Sequence, residues 1–483
     1  MSLIKLNIST TDLHAFMTKA IIFVSIPVKL NPLIMMRKTS LFLLVILLGA
    51  CESGNITKFD FETYVTKNIT EPEIPDFSLT ILDFSPSRDS AADWKPAFDR
   101  AIAEIQQKGG GTLIVPAGNY LLKGPIHLVS HLEIMLKKGA RLYFSSDPKY
   151  YLPVVKTSWE GTFLYNYSPF IYAYNCTNIA ITGEGTIDGE ASETWASWKA
   201  RQKDDQLLSR EMNHNNVPVK DRIFGAGHYL RPQLIQFYEC ENIKVEGVTI
   251  EDSPFWCVHL LKCENAIVRG VHYNAFNYNN DGIDPEYSKN VLIEDVHFNN
   301  SDDNVAIKAG RDNEGRAAKS GSENIIIRNC HFQGLHAVVI GSEMSAGVKN
   351  VLVKNCDFAG KLKRGIYLKS NPDRGGYINN IFVDHVAFGE VEDCIYITSF
   401  YHNEGEGHVT DISKIYLNDI TCHKATGNGI VIQGYPQQKV NEVYISKLQI
   451  DTVANAVSMV DAENIVMSDV VIGGLATSPS YVR

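Results

Sequence analysis

Asp281, the pair Asp302–Asp303 and His336 each open a short run of alternating apolar residues, and Lys369 closes the next such run. The runs are Asp281-Gly282-Ile283-Asp284-Pro285-Glu286, Asp303-Asn304-Val305-Ala306-Ile307-Lys308, His336-Ala337-Val338-Val339-Ile340 and Arg364-Gly365-Ile366-Tyr367-Leu368-Lys369. Alternation of this kind is the signature of strands. Stacking the runs on Val258, Ile283, Val305, Val338, Ile366 and Ile395 places Asp281, Asp303, His336, Arg364 and Asp393 in one stripe, about 4.8 Å per step. The positions between point outward: His259, Asp284, Tyr367 and Tyr396, then Glu286, Lys308, Lys369 and Thr398. A cluster of acids repels itself and costs stability. Two carboxyls in unlike surroundings suit general acid–base chemistry, one giving a proton while the other takes one. Basic residues on the same face suit an anionic substrate.

Such a stripe needs elements that repeat. An Asn followed by alternating apolar positions recurs at Asn178, Asn242, Asn265, Asn290, Asn324, Asn350, Asn380 and Asn464, with Lys414 and Glu442 standing in for it. From Asn242 onward the steps are 22–34 residues, and each step holds a second apolar strand. Strands this short cannot bury a face alone, so successive coils must stack. The reading is an all-β chain: a right-handed parallel β-helix, with the Asn side chains bonded from coil to coil. Leucine-rich repeats are excluded, because no Leu-dense consensus and no helix per repeat is present. A solenoid needs a capped end. Residues 89–108 predict an amphipathic capping helix with Ala97, Ile102 and Ile105 near one face, ended by Gly109-Gly110-Gly111. Residues 189–230 lose the repeat and predict a long loop over one face.

The formal net charge is −10, which excludes a general nucleic-acid binder. Arg37-Lys38, the apolar Leu41–Leu48 and the sequence Leu48-Gly49-Ala50-Cys51 resemble a bacterial lipoprotein signal. That resemblance implies lipidation of Cys51 and export to the envelope (periplasm or outer membrane) of a Gram-negative bacterium. The chain then divides into 1–51, an over-extended start plus signal; 52–76, a polar tether; and 77–483, the β-helix domain. The eight other cysteines read better as small core residues stacked in the repeat than as bridges. No CxxC pair and no EF-hand-like acidic loop is present, so neither metal nor cofactor is expected.

Four motifs in order, one per coil, carry a family resemblance: Asn279-Asn280-Asp281-Gly282-Ile283-Asp284, Asp302-Asp303, Leu335-His336-Ala337, and Arg364 to Lys369. Together they resemble glycoside hydrolase family 28, the polygalacturonases, from about Phe77 to Ile472. The resemblance implies an inverting hydrolase of galacturonic acid linkages in pectin, and exo rather than endo action is expected. It implies that Asp302 protonates the leaving oxygen, that Asp281 and Asp303 hold and activate water, that His336 supports the acids, and that Lys369 binds a substrate carboxylate. Arg364, Tyr367, Arg374, Lys308 and His259 are the further substrate-binding candidates; Arg364 could instead pair with Asp393. The sequence departs from the family pattern at Asn280 (usually Thr), at Leu335 and Ala337 (usually Gly), and at Tyr367 (usually basic). A one-coil spacing of the carboxyls is shorter than the ~6.5–9.5 Å usual for inversion; here the family resemblance sets the expectation. The alternatives are a rhamnogalacturonan or side-chain-specific hydrolase of the same family, a pectate lyase, and a glycan-binding β-helix without catalysis. The expected partner is a pectic polymer or oligogalacturonide, met by a monomer that touches membrane only through its lipid.

Overall fold

The computed structural model describes residues 58–85, 92–402, 405–477 and 481–482. Almost every strand in it pairs in parallel with its counterpart one coil earlier and one coil later, giving the expected right-handed parallel β-helix. Three faces run its length: sheet 1; sheet 2, with Glu241–Glu246, Glu264–Arg269, Lys289–Glu294 and Ser322–Arg328; and sheet 3, with Thr186–Asp188, Thr249–Glu251, His272–Asn274 and His331–Phe332. Sheet 1 carries Ile171–Tyr174, Ile235–Tyr238, Val258–Leu261, Ile283–Glu286, Asp303–Ile307 and His336–Ile340. Its inward column pairs Val258 with Ile283, Ile283 with Val305, Val305 with Val338, Val338 with Ile366 and Ile366 with Ile395. This is the register read from the sequence, and it stacks Asp303, His336, Arg364 and Asp393 directly. Inside the solenoid the inward residues make one continuous apolar core. It includes a ladder of phenylalanines, Phe298, Phe332, Phe358 and Phe388, with ring centroids 5.2, 4.9 and 4.1 Å apart.

The recurring Asn has a conformational reason. Asn178, Asn242, Asn265, Asn290, Asn324, Asn350, Asn380 and Asn464 all have φ between 53° and 62°, the left-handed region that Asn tolerates better than other side-chain-bearing residues. From Asn242 to Asn380 each of these amides then donates to the Asn one coil before: Asn242 to Asn178 at 3.1 Å, Asn324 to Asn290 at 3.0 Å, Asn380 to Asn350 at 3.1 Å. Lys414 holds the same backbone at φ 58° without the short polar side chain. Lys414→Asn is therefore expected to stabilise the protein by ~0.5–1.5 kcal/mol through one more rung. A rise in the urea midpoint at constant m-value would report it.

The capping helix runs over Lys95–Gln107 and buries Ala97, Phe98, Ala101, Ile102 and Ile105, shorter at its start than the expected 89–108. The last coil is closed by Leu475–Thr477 and Tyr481–Val482, which fold back antiparallel on Ala462–Ile472. The signal and Cys51 lie outside the described residues. The tether expectation needs correction from residue 58 onward. Lys58–Asn68 is an α-helix whose Phe61 and Val65, four residues apart, pack on Leu292, Ile326 and Leu352. Glu62 binds Lys354 at 2.9 Å, and Glu71 binds Lys244 at 2.8 Å and Arg269 at 3.1 Å. The outward leucines and isoleucine of sheet 2 need cover from water, and two apolar residues in a polar stretch supply it. Cys176, Cys240, Cys257, Cys263, Cys330, Cys356, Cys394 and Cys422 are all free thiols, and all but Cys176 are buried.

Two insertions depart from the solenoid. Val155–Trp159 and Thr162–Asn166 form an antiparallel hairpin. The 189–230 segment, expected as a loop, contains a helix at Lys203–His214 and a strand, Ile223–Phe224, that joins the hairpin. The hairpin roofs the early coils of sheet 1: Thr157 donates to Gln236 at 2.8 Å and Ser158 to Glu286 at 3.2 Å.

Candidate active site

Asp281, Asp302 and Asp303 reach one cavity of about 230 Å³ at the end of sheet 1, where the coils turn onto it. Asp281 is placed by its two neighbours. Asn280 is fully buried and donates to the carbonyls of Ser253 and Phe255 at 2.8 and 2.9 Å, tying the turn to the coil before. Gly282 must be glycine, because a Cβ there would lie 2.5 Å from the Asn304 carbonyl oxygen and 2.7 Å from the Phe298 ring. The next coil is tied on in turn: Asn300 donates to the Asn280 carbonyl at 2.8 Å and to the Asp303 carbonyl at 3.1 Å. Asn280 thus fills with amide hydrogen bonds the place where a Thr was usual.

The three aspartates have unlike surroundings. Asp303 is buried and accepts from His336 Nδ1 at 2.6 Å and from Lys369 Nζ at 3.0 Å. Burial opposes its ionisation, but the Lys369 ammonium and the His336 hydrogen bond outweigh that and hold it far below the usual carboxylate range. Asp302 keeps contact with solvent and takes the Asp303 backbone N–H at 3.0 Å. Burial and the Asp303 charge push its carboxyl above the usual range, against the opposing pull of Lys369. Burial, with Asp284 and Asp302 nearby, raises Asp281 well above that range, while Lys308 opposes the rise. Asp303 is thereby kept ionised, while Asp281 and Asp302 hold their protons to higher pH than free carboxyls do. Their titrations belong to the group and not to single residues.

Lys308 sits at the centre of a second cluster. Its ammonium is 3.6 Å from Asp281, 3.5 Å from Asp284 and 3.6 Å from Glu343, and 4.6 Å from the centre of the Trp256 ring. Glu343 also meets Arg311 at 3.4 Å. Donor atoms of Asp302, Asp303 and His336 lie within 4.8 Å of one another, a spacing that suits a cation. The Lys369 ammonium already neutralises Asp303 there, so a dication would meet a buried positive charge.

Not every expected residue reaches the cavity. Lys308 and Lys369 line it, with both ammonium groups engaged by carboxylates. His336 stands behind Asp303, and Tyr367 packs edge-on against its ring at 5.3 Å. Arg364 turns to Asp393 at 3.4 Å and lies over the Tyr367 and Tyr396 rings. His259 is fully buried under the hairpin, bonded to Glu286 at 3.0 Å and Gln236 at 2.9 Å. Arg374 is buried and binds Asp312 at 2.6 Å and the Ser342 carbonyl at 2.7 Å. His259 and Arg374 therefore brace the scaffold, and neither faces a substrate. The sequence reading missed Glu160, Gln206, Arg210, Arg311, Glu343, Tyr401 and His402, all lining the cavity. Arg311 and Glu343 lie four and three residues beyond the aligned strands Asp303–Ile307 and His336–Ile340, which was a usable signal. Glu160, Gln206 and Arg210 come from the insertions, outside any repeat, and Glu160 accepts from Gln206 at 2.7 Å and Arg210 at 3.0 Å.

The family described as Glycosyl hydrolases family 28 has a sequence model that matches residues 111–471. An exopolygalacturonase from Thermotoga maritima superposes with a TM-score of 0.85 at 38% identity, covering 88% of this chain and 98% of that one. An endo-polygalacturonase from Pectobacterium carotovorum is 27% identical over 397 residues, 80% of this chain and 89% of that protein. A family 28 exopolygalacturonase from Yersinia enterocolitica shares the fold, with a TM-score of 0.66 at 20% identity over 82% of this chain and 78% of that one.

Proposed function

The chain belongs to glycosyl hydrolases family 28, and on that premise we propose that it is an exo-acting hydrolase of polygalacturonic acid. The observation that carries the reading is the convergence of three carboxyls in unlike surroundings on one cavity, with Asp303 held by His336 and Lys369 and Asp302 open to solvent. Asp302 is the solvent-facing acid with a raised pKa, suited to give a proton to the leaving glycosidic oxygen. Asp281, raised by burial, is a stronger base than an ordinary carboxylate once ionised, and with Asp303 it orients the attacking water. Loss of a proton from either Asp281 or Asp302 disfavours loss from the other, so the two carboxyls titrate as one unit. His336 and Lys369 hold Asp303 anionic and fixed in place.

Exo action is supported by the walls. The hairpin and the Lys203–His214 helix bring Glu160, Gln206 and Arg210 to one side of the cavity, and Tyr401 and His402 close another. A polymer laid along the stripe would run into this roof, so a chain end fits where a chain middle does not. Arg210 and Arg311, rather than Arg364 and Arg374, supply guanidinium groups to the cavity for an anionic sugar.

Product analysis tests the reading. Purified protein on polygalacturonic acid should release saturated galacturonic acid as monomer from the first minutes, with EDTA without effect. Proton NMR of the earliest product should show the β anomer, the outcome of inversion of an α linkage. Oligomers at the outset would overturn exo action, and an α anomer would overturn inversion.

Export and lipidation at Cys51 belong to the same proposal and are supported by the Arg37-Lys38, Leu41–Leu48 and Cys51 pattern. Labelled palmitate should enter the wild-type protein in a Gram-negative host and not Cys51→Ala.

A further inference from the structure

On the outer face of sheet 3, three successive coils present a histidine at the same place, and two of them, His297 and His331, lie five residues before Asp302 and His336 in the chain but on a different strand. His272 pairs with His297, and His297 with His331. All three are exposed. Their rings stack, with centroids 4.7 Å apart for the first pair and 4.5 Å for the second, and interplanar angles of 7° and 21°. One coil further the column continues as Asp357, which pairs with His331.

This arrangement is unusual for a face with no catalytic duty. The rows on the coils before it hold Thr186 and Thr249 at the equivalent place, so the fold does not require imidazoles. Stacked histidines repel one another when protonated, and they contribute lone pairs that point along the ring edges when neutral. His331 has its tautomer chosen for it: Nδ1 lies 2.6 Å from the Asp357 carboxylate, so Nδ1 carries the proton and Nε2 keeps a free lone pair. A carboxylate behind an imidazole is the arrangement that orients and strengthens a metal-ligating histidine. Beside the histidines runs a second row, Asn274, Asn299 and Gln333, and the two rows line a shallow recess of about 330 Å³.

We propose that His297 and His331 together form a surface binding site for a borderline divalent transition metal, such as Zn²⁺, with Asp357 orienting His331 from behind. Imidazole nitrogens select this class over Ca²⁺ or Mg²⁺, which want oxygen. Zn–N bonds of about 2.0–2.1 Å need the two nitrogens roughly 3.3 Å apart. Rings with centroids 4.5 Å apart and already tilted by 21° reach that spacing by a small rotation of exposed side chains. The pair His297–His331 is favoured over His272–His297 because it is closer, more tilted and backed by a carboxylate. His272 and His331 are two coils apart, about 9.6 Å, too far to share one ion. Water completes the coordination. A bound ion would clip two neighbouring coils together.

The test is isothermal titration of ZnCl₂ into the chelator-stripped full chain at pH 7.5, with hydrolysis measured alongside. One Zn²⁺ is expected per chain. His297→Ala and His331→Ala should each abolish that binding, with circular dichroism and hydrolysis of polygalacturonic acid unchanged. Asp357→Asn should weaken it by about tenfold or more, while His272→Ala should retain it. Asp302→Asn should also retain it, which separates this site from the Asp302–Asp303–His336 cluster. Absence of binding heat, heat that survives His297→Ala, or heat lost in Asp302→Asn would each overturn the proposal.

Discussion

Asp302→Asn is expected to lower kcat on polygalacturonic acid by ~10²–10⁴-fold, the range for removal of a general acid, with KM changed little. The substitution keeps the shape and the hydrogen bond from the Asp303 N–H, so the fold and the sugar pocket stay intact. It removes the only proton donor of the three aspartates that both faces solvent and has a pKa above the usual carboxylate range. Equal falls in kcat and kcat/KM would mark an interaction made only in the transition state. A substrate with a better leaving group, such as an aryl galacturonide, should recover part of the loss, since a weakly basic leaving oxygen needs less protonation. A variant that lost KM and kept kcat would refute the assignment of Asp302 as the acid.

Lys308→Met should have the largest effect on stability. Its ammonium is buried and stands between Asp281, Asp284 and Glu343 at 3.5–3.6 Å. Removing one partner of a buried ion cluster leaves uncompensated charge, which costs about 3–5 kcal/mol. Methionine keeps most of the stem and its packing, so the loss would report charge and not a cavity. The pH dependence follows from the same geometry. Burial raises the Asp281 pKa, and Lys308 is the cation that opposes the rise. Without it Asp281 rises further, so a higher pH is needed to ionise the base. The acid limb of the kcat/KM profile should therefore move to higher pH in whatever folded protein remains. An acid limb that stayed in place would mean that Asp281 is not the base, and a stability change under 1 kcal/mol would mean that the cluster is not charged as described.

The two effects separate on one gel and one curve. Asp302→Asn should melt like the wild type and be inactive; Lys308→Met should be less stable and retain shifted activity. A pair of variants behaving the other way round would reverse the roles of acid and scaffold.

How much was readable before the fold was known depends on what the repeat governs. Period-two alternation sets which side chains face inward, and the core admits only one register because a slip of one residue turns every inward side chain out. Val258, Ile283, Val305, Val338, Ile366 and Ile395 therefore specified the stacking that brings Asp303 onto His336. The left-handed turn explains the Asn column, because that backbone is costly for most side chains. Both follow from local chemistry repeated at a regular interval, which a single sequence displays.

What covers each face was not readable, because it comes from segments outside the repeat. His259 looked like an outward, available imidazole by the same alternation that placed Lys369 correctly. Only the tertiary structure lays the Val155–Asn166 hairpin over it and buries it. Arg374 carried a charge of the right sign, but Asp312 lies 2.6 Å away and claims it. Glu160 and Arg210 join the cavity from insertions with no periodicity to align. Phe61 and Val65 turn a polar leader into a docked helix. The sequence by itself determined the solenoid, its register and the acid stripe, since these rest on patterns between neighbouring coils. The tertiary structure alone decided which of the stripe's flanking charges meet the cavity and where the cavity ends, since those depend on contacts between segments that share no repeat.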